Sequence, residues 1–250
     1  MLEAMTRRPK LLAIAAVLPL LVAACGSAPQ KSPPTGVDGL EIPTPSADPG
    51  DFVEGIENPY LPLRPGSRWV YKSRNLDQET TTVTVTGDTR EVQGVTTTVV
   101  HDVVKGPDGT VVEETFDWFA QDTAGNVWRF GEDTTTYDAR GRPDHSGSWE
   151  AGVDGAEAGV AMPAAPRIGD GYQQESAPGR AESQTEVLAT DESVNVEFDS
   201  FTEVLLTEDT SPLEPGVVER RYYAPGVGLV LDQTVLGGSE RIELVSYDGR

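Results

Sequence analysis

Along this chain apolar and polar residues alternate more often than they recur at helical spacing. Residues Thr80 to Thr86 read TTTVTVT and Val95 to Val100 read VTTTVV. Both runs are rich in β-branched residues, and the first alternates with period two, the pattern of a strand with one buried face. Gly87-Asp88, Pro107-Asp108-Gly109, Ala124-Gly125-Asn126, Pro225-Gly226 and Gly237-Gly238 punctuate such runs at hairpin intervals. Past the first two dozen residues no window sustains a 3.6-residue period, and scattered Gly and Pro break every helix longer than a few turns. The pattern predicts an all-β protein of ten to thirteen strands, an antiparallel meander forming one curved sheet or half-barrel.

The meander repeats. Arg64-Pro65-Gly66-Ser67-Arg68-Trp69 aligns with Arg167-Ile168-Gly169-Asp170-Gly171-Tyr172. Each copy has an aromatic hairpin further on, from Trp118 to Trp128 in the first and from Tyr222 to Val230 in the second. Arg64 precedes Trp118 by 54 positions and Arg167 precedes Tyr222 by 55. The β domain, residues 51–250, therefore reads as two halves, about 58–145 and 165–248, joined by a Gly-rich crossing loop at about 146–164. One shared sheet is expected, because about 100 acidic residues with few large apolar side chains bury little core alone.

The N-terminus has a different logic. Arg7-Arg8-Pro9-Lys10 precedes thirteen uncharged residues, Leu11 to Ala23, the layout of a signal peptide over residues 1–24. Thirteen helical residues rise only about 20 Å against a hydrocarbon core of about 30 Å. Val22-Ala23-Ala24-Cys25 resembles the lipobox of bacterial lipoproteins, which implies cleavage before Cys25 and a diacylglyceryl group on its sulfur. Cys25 is the sole cysteine, so a disulfide within the chain is excluded. Two acyl chains hold a protein at a bilayer stably where one does so marginally. Residues 25–50 then form a tether with six prolines, a composition that stays extended or disordered and spans about 30 Å as a coil. Thr6-Arg7-Arg8 partly resembles a twin-arginine export signal, but Pro9-Lys10 departs from it, leaving the general secretory and twin-arginine routes both open.

The charge narrows the partners. The formal net charge is −22, and removal of a leader holding Arg7, Arg8 and Lys10 against Glu3 makes it −24. A domain so acidic repels phosphate backbones and anionic headgroups, which argues against nucleic acid and assigns membrane contact to the lipid anchor on the extracytoplasmic face of the cell membrane. The remaining partners are a lipid or another envelope protein.

The stretches DWFAQDTAGNVWRFGEDT (Asp117 to Thr134), GSWEAGVDGAEAGVAMPA (Gly147 to Ala164) and YYAPGVGLV (Tyr222 to Val230) resemble a family of exported bacterial proteins and lipoproteins without an established activity. The likeness covers most of Asn58 to Val245 and implies a common fold. At the level of fold alone, the chain is similar to the half-barrel lipoprotein carriers of the bacterial envelope, which hold acyl chains against a curved sheet.

Catalytic signals are sparse. Two histidines, His101 in a Val-rich strand and His145 in a turn, are too few for a zinc site beside an acylated cysteine, and the Gly-x-Ser-x-Gly elbow and phosphate-loop patterns are missing. No cofactor, metal site or catalytic residue is implied. Carboxylates are abundant, and Asp122, Asp133 and Asp154 are the places where a paired-carboxylate hydrolase would be sought. The aromatics carry the other possibility: Trp69 with Tyr71, Phe116 with Trp118, and Trp128 with Phe130 share strand faces by alternation, either as core or as a ligand-binding face. The reading that results is a non-enzymatic interaction or structural module of the envelope. The alternatives are a carrier or binding module for an apolar ligand such as a lipid, and a polysaccharide or cell-wall hydrolase.

Overall fold

In the computed structural model, which describes residues 48–74 and 78–249, the β-branched runs become long antiparallel ladders. The signal peptide, Cys25 and nearly all of the tether lie outside the described residues. The first half supplies β1 (Phe52–Val53), β2 (Arg68–Ser73), β3 (Thr80–Val92), β4 (Val95–Lys105), β5 (Val111–Asp122) and β6 (Val127–Tyr137). Three short strands follow, β7 (Pro143–Asp144), β8 (Trp149–Glu150) and β9 (Gly159–Met162). The second half supplies β10 (Gly171–Gln173), β11 (Gln184–Asn195), β12 (Ser200–Thr210), β13 (Val218–Ala224) and β14 (Gly228–Leu236), and β15 (Arg241–Asp248) completes the set. The only helical element described is a 3₁₀ turn, Pro49–Asp51, capped by the Asp48 carboxylate on Gly50 N.

The fifteen strands form one open, curved antiparallel sheet in the order β10-β11-β12-β13-β14-β15-β2-β3-β4-β5-β6-β7, with β1 beside β5 and with β8 and β9 on β6. The count exceeds the ten to thirteen expected because β1, β7 and β8 have two residues each, too short for alternation to register. The crossing segment 146–164 carries β8 and β9, both paired to β6.

The hydrogen bonds and pairings of the two halves correspond position by position. In the first, Gly66 N donates to Val85 O, Val85 N to Ser67 O and Ser67 N to Arg64 O; in the second, Gly169 N, Val187 N and Asp170 N make the same bonds to Val187 O, Asp170 O and Arg167 O. Across the sheet, Val83 pairs with Asp102 and Asp102 with Thr115, while Thr185 pairs with Asp209 and Asp209 with Glu219. Asp117 opposes Glu132 and Arg221 opposes Asp232, each just before a bulge, at Trp118/Phe119 and at Tyr222/Tyr223. Asp102 thus matches Asp209, Asp117 matches Arg221, Phe119 matches Tyr223, and Arg129 matches Leu229. The strand that follows the Arg-x-Gly turn in each half carries a buried aromatic near its start, Trp69 on β2 and Tyr172 on β10.

The ladder does not close between β9 and β10, yet the seam is occupied. Glu157 bridges to Ser176, and Arg129 on β6 is ion-paired to Glu175 just beyond β10. At Gly159 a Cβ would lie 2.1 Å from Gln174 O, so only glycine admits the backbone passing there.

Two packings result, one on each face. Outside, Trp118, Trp128 and Phe130 are buried with Trp149; Phe52 meets Phe130 edge-on at 5.4 Å, and the Arg90 guanidinium lies 3.9 Å over the Trp118 ring. This cover explains Gly131: its φ is 143°, and a Cβ would meet Trp149 O at 2.4 Å. Inside the curve, where a core would be expected to fill the space, a cavity remains.

Candidate functional site in the concave face

The cavity has a volume of about 510 Å³, within the roughly 300–1,000 Å³ of small-molecule sites. Strand alternation builds its wall. Trp69 and Tyr71 of β2, Thr81 and Val83 of β3, and Val100, Asp102 and Val104 of β4 all point inward, each two residues from the next. Glu113, Asp117 and Phe119 continue it on β5 in unbroken alternation, and Arg129 continues it on β6, where the bulge changes the parity. From the second half come Glu219, Arg221 and Tyr223 of β13 and Leu229 and Asp232 of β14. Leu61-Pro62-Leu63 stops one end, where Pro62 and Leu63 are buried; towards Thr81, Val104, Glu113 and Glu219 the lining is only half-buried.

Two aromatics hold the curvature. Trp69 Nε1 donates to Val227 O at 2.8 Å and the Tyr71 hydroxyl to Leu229 O at 2.9 Å. Both bonds reach from β2 across β15 to the β13–β14 hairpin, so the sheet must curl for them to form. Each buried aromatic removes about 150–250 Å² from water while its polar tip is satisfied.

Two half-buried arginines organise the charge. Arg129 pairs with Asp117, with Glu175, and with Glu132 at 2.9 Å. Arg221 pairs with Asp209 at 2.8 Å, Asp232 at 2.9 Å and Glu219 at 3.2 Å, and its Nη1 also donates to Gln174. Burial disfavours either guanidinium's charge, but three carboxylates around each hold it protonated. The carboxylates respond unevenly. Burial raises Asp117 despite Arg129, and Asp209 despite Arg221. Glu175 is lowered instead, because Arg129 and a 2.7 Å hydrogen bond from Ser183 Oγ overcome its burial. Glu132, which also accepts from Trp149 Nε1 at 3.0 Å, is pushed up to about 7, mainly by burial.

Asp102 differs from all of these in having no ion pair among the described residues. Its Oδ1 is buried without a hydrogen-bond partner among the described residues. Burial first, then the neighbouring charges of Asp117 and Glu113, push it up to about 7, against a smaller pull from Arg129. Its counterpart Asp209 has both Arg221 and a 2.8 Å hydrogen bond from Thr185. Val83 stands where Thr185 would, and Asp117 where Arg221 would.

Of the six aromatics singled out in the sequence, Trp69 and Tyr71 line the cavity. Trp118, Trp128 and Phe130 pack on the outer face instead, because β5 and β6 turn those parities towards the cover of Phe52 and Trp149. Phe116 shares that face, exposed, with its ring stacked on His101 at 4.3 Å. His101 Nε2 meets Glu114 at 2.8 Å, and His145 lies apart against Thr135. The three aspartates proposed for hydrolysis are dispersed. Asp122 closes the β5–β6 hairpin through bonds from Ala124, Asn126 and Trp128; Asp133 faces Ser148; and Asp154 pairs with Arg180 at 3.0 Å. None lines the cavity.

Asp102, Asp117, Arg129 and Arg221 were missed as site residues, although a signal was present. Val100-x-Asp102-x-Val104 and Glu219-x-Arg221-x-Tyr223 put an ionisable residue in the inward parity of a strand, where an apolar one is the rule.

No family model matches the chain, and no curated protein does. Two solved structures are similar to it. One, from Bacteroides fragilis, is described as an exported protein with a YmcC-like fold; it is 13% identical, the match covers 76% of this chain and 99% of that one, and the TM-score is 0.44. The other, from Parabacteroides distasonis, is described as a lipoprotein; it is 14% identical over 76% and 98% of the two chains, with a TM-score of 0.39.

Proposed function

We propose that this chain is an envelope lipoprotein, anchored through Cys25 on the extracytoplasmic face, whose curved sheet binds a small amphipathic molecule in its concave face. The observation that carries this reading is the cavity itself. A β domain with few large apolar residues leaves about 510 Å³ unfilled beside Trp69, Tyr71, Phe119 and Tyr223, although closing that space would bury more apolar surface at about 25 cal/mol per Å². The basic flank, short apolar run and small residues before Cys25 support the anchor, and the six prolines that follow support a tether holding the domain off the bilayer. Presentation of the loaded domain to an envelope partner fits the same arrangement, so the interaction-module reading is contained within it.

The test is native mass spectrometry of the protein taken from its host membrane in polymer-bounded nanodiscs. The expected spectrum has a diacylglyceryl group on Cys25, no leader, and a further non-covalent mass of ligand size. Leu229→Trp, which places an indole in the hollow, is expected to lose that mass while keeping the β-sheet circular dichroism signal. A wild-type spectrum with no bound mass, together with a hollow that gives no response to any amphiphile, would end the proposal.

A further inference from the structure

The charges lining the cavity do not balance. Five carboxylates face it, Asp102, Glu113, Asp117, Glu219 and Asp232, against two guanidinium groups, Arg129 and Arg221. Neither guanidinium is free to receive an anion, since each is already held by three carboxylates. Arg129 Nε lacks a partner, but it sits within that ring of negative charge, which repels a carboxylate or phosphate approaching it. The unmet demand at Asp102 has the opposite sign. Its Oδ1 is a buried acceptor with no donor among the described residues, which is costly, the more so for a charged group. The repeat shows what is missing: at the matching place in the second half the carboxylate is met by a guanidinium. Towards β2 and β3 and along β4 the wall around Asp102 is apolar, with Val83 opposite it on β3, Trp69 beyond on β2, and Val100 and Val104 two residues to either side, while β5 places Thr115 opposite it. The carboxylates are spread around the wall, and among the described residues no group of three His, Cys, Asp or Glu is gathered to hold a metal ion.

Resting on the binding reading above, we infer that the ligand is an organic cation carried on an apolar body, an alkylammonium in its simplest form. Its ammonium lies against Asp102 Oδ1 and its chain along Trp69, Val83 and Val104. The ammonium supplies the donor that Arg221 supplies to Asp209. The aromatic wall adds a face suited to cations, and the field of the remaining carboxylates excludes fatty-acid and phosphate headgroups. The groups facing Asp102 are Glu113 and Asp117 from β5, Arg129 from β6 and the Tyr71 hydroxyl from β2. None of them neutralises it.

The experiment uses the full chain in nanodiscs, with equilibrium dialysis of octylammonium, 1-octanol and octanoate against empty nanodiscs at pH 8. Octylammonium is expected to bind at least tenfold more tightly than octanol, with octanoate weakest. Asp102→Asn, which keeps the side chain's shape, is expected to lose at least tenfold for octylammonium and to leave octanol within twofold. In the unaltered protein, octylammonium affinity is expected to rise between pH 6 and pH 8 as Asp102 ionises, while octanol stays level. Octanoate binding as well as octylammonium would overturn the cation and leave the binding cavity standing. Octylammonium affinity unchanged by Asp102→Asn and flat with pH would overturn the placement at Asp102. Binding of none of the three would count against the cavity as a ligand site altogether.

Discussion

The two halves of this sheet solve one electrostatic problem in different ways. Both carry an inward carboxylate on the third strand after the Arg-x-Gly turn, Asp102 and Asp209. In the second half the neighbouring strand places Arg221 beside Asp209, and Thr185 donates a further bond. In the first half the position matching Arg221 is Asp117, and the compensating guanidinium comes one strand later, from Arg129. That displacement satisfies Asp117, Glu132 and Glu175 but leaves Asp102 with a bare oxygen. Corresponding positions thus hold an ion-paired carboxylate in one half and an acceptor without an ion pair beside a cavity in the other.

The comparison breaks most severely when an arginine is removed. Arg221→Met leaves buried Asp209 and half-buried Glu219 and Asp232 without a counter-charge and is expected to cost about 3 kcal/mol of unfolding free energy in urea titrations. This is the low end of the range for breaking a buried ion pair, because the Arg221 side chain keeps 27% exposure. Arg129→Leu alone is expected to cost as much. Combining it with Asp117→Arg rebuilds in the first half the arrangement of the second, so the double variant is expected to recover about 2 kcal/mol of that loss and to abolish octylammonium binding. A double variant no more stable than Arg129→Leu would show that the halves are not equivalent at these positions.

Gly131 sharpens the contrast on the other face. Its match is Leu231, by the pairing of each with the residue before the bulge, but the first half is covered there by Trp149. Gly131→Ala adds a Cβ 2.4 Å from Trp149 O at a φ of 143°, and is expected to cost about 3 kcal/mol from overpacking and backbone strain. Thermal unfolding is the measurement.

Asp102 predicts a pH dependence. The folded protein holds this proton more tightly than the unfolded chain, with the group pushed up to about 7 from 3.8, so its stabilisation is present below about pH 4 and is lost as pH rises to about 7. Glu132, also up to about 7 from 4.5, acts in the same direction; Glu175, which is lowered, opposes them. Asp102→Asn stays neutral throughout. It is expected to flatten the decline between pH 5 and pH 8 and to be more stable than the unaltered protein at pH 8 by on the order of 2 kcal/mol, since a tenfold difference in proton affinity between folded and unfolded chains corresponds to about 1.4 kcal/mol. A melting profile identical to wild type across that range would refute the burial of its charge. Tyr71→Phe, which removes one bond from the β2 side chain to Leu229 O, is expected to have the smallest effect, about 1 kcal/mol.

The sequence by itself determined the strand content, because β-branched alternation and Gly-Pro punctuation are local properties that later packing did not override. The Arg-x-Gly turn was also legible as a local motif, and the same three backbone hydrogen bonds form at both of its occurrences. What the sequence left open was which face of each strand would be filled. Trp118 and Phe119 are neighbours with equal claim to a core; alternation sends one to the outer packing and the other to the cavity, and on β6 a bulge places Phe130 outside and Arg129 opposite Phe119. Only the tertiary structure decided that Trp69 and Tyr71 face a hollow, because their hydrogen bonds to Val227 and Leu229 span 158 positions of sequence. The bare oxygen of Asp102 is likewise a tertiary fact. It depends on what β5 and β6 place beside β4, and a side chain's partners across a curled sheet have no periodicity from which to read them.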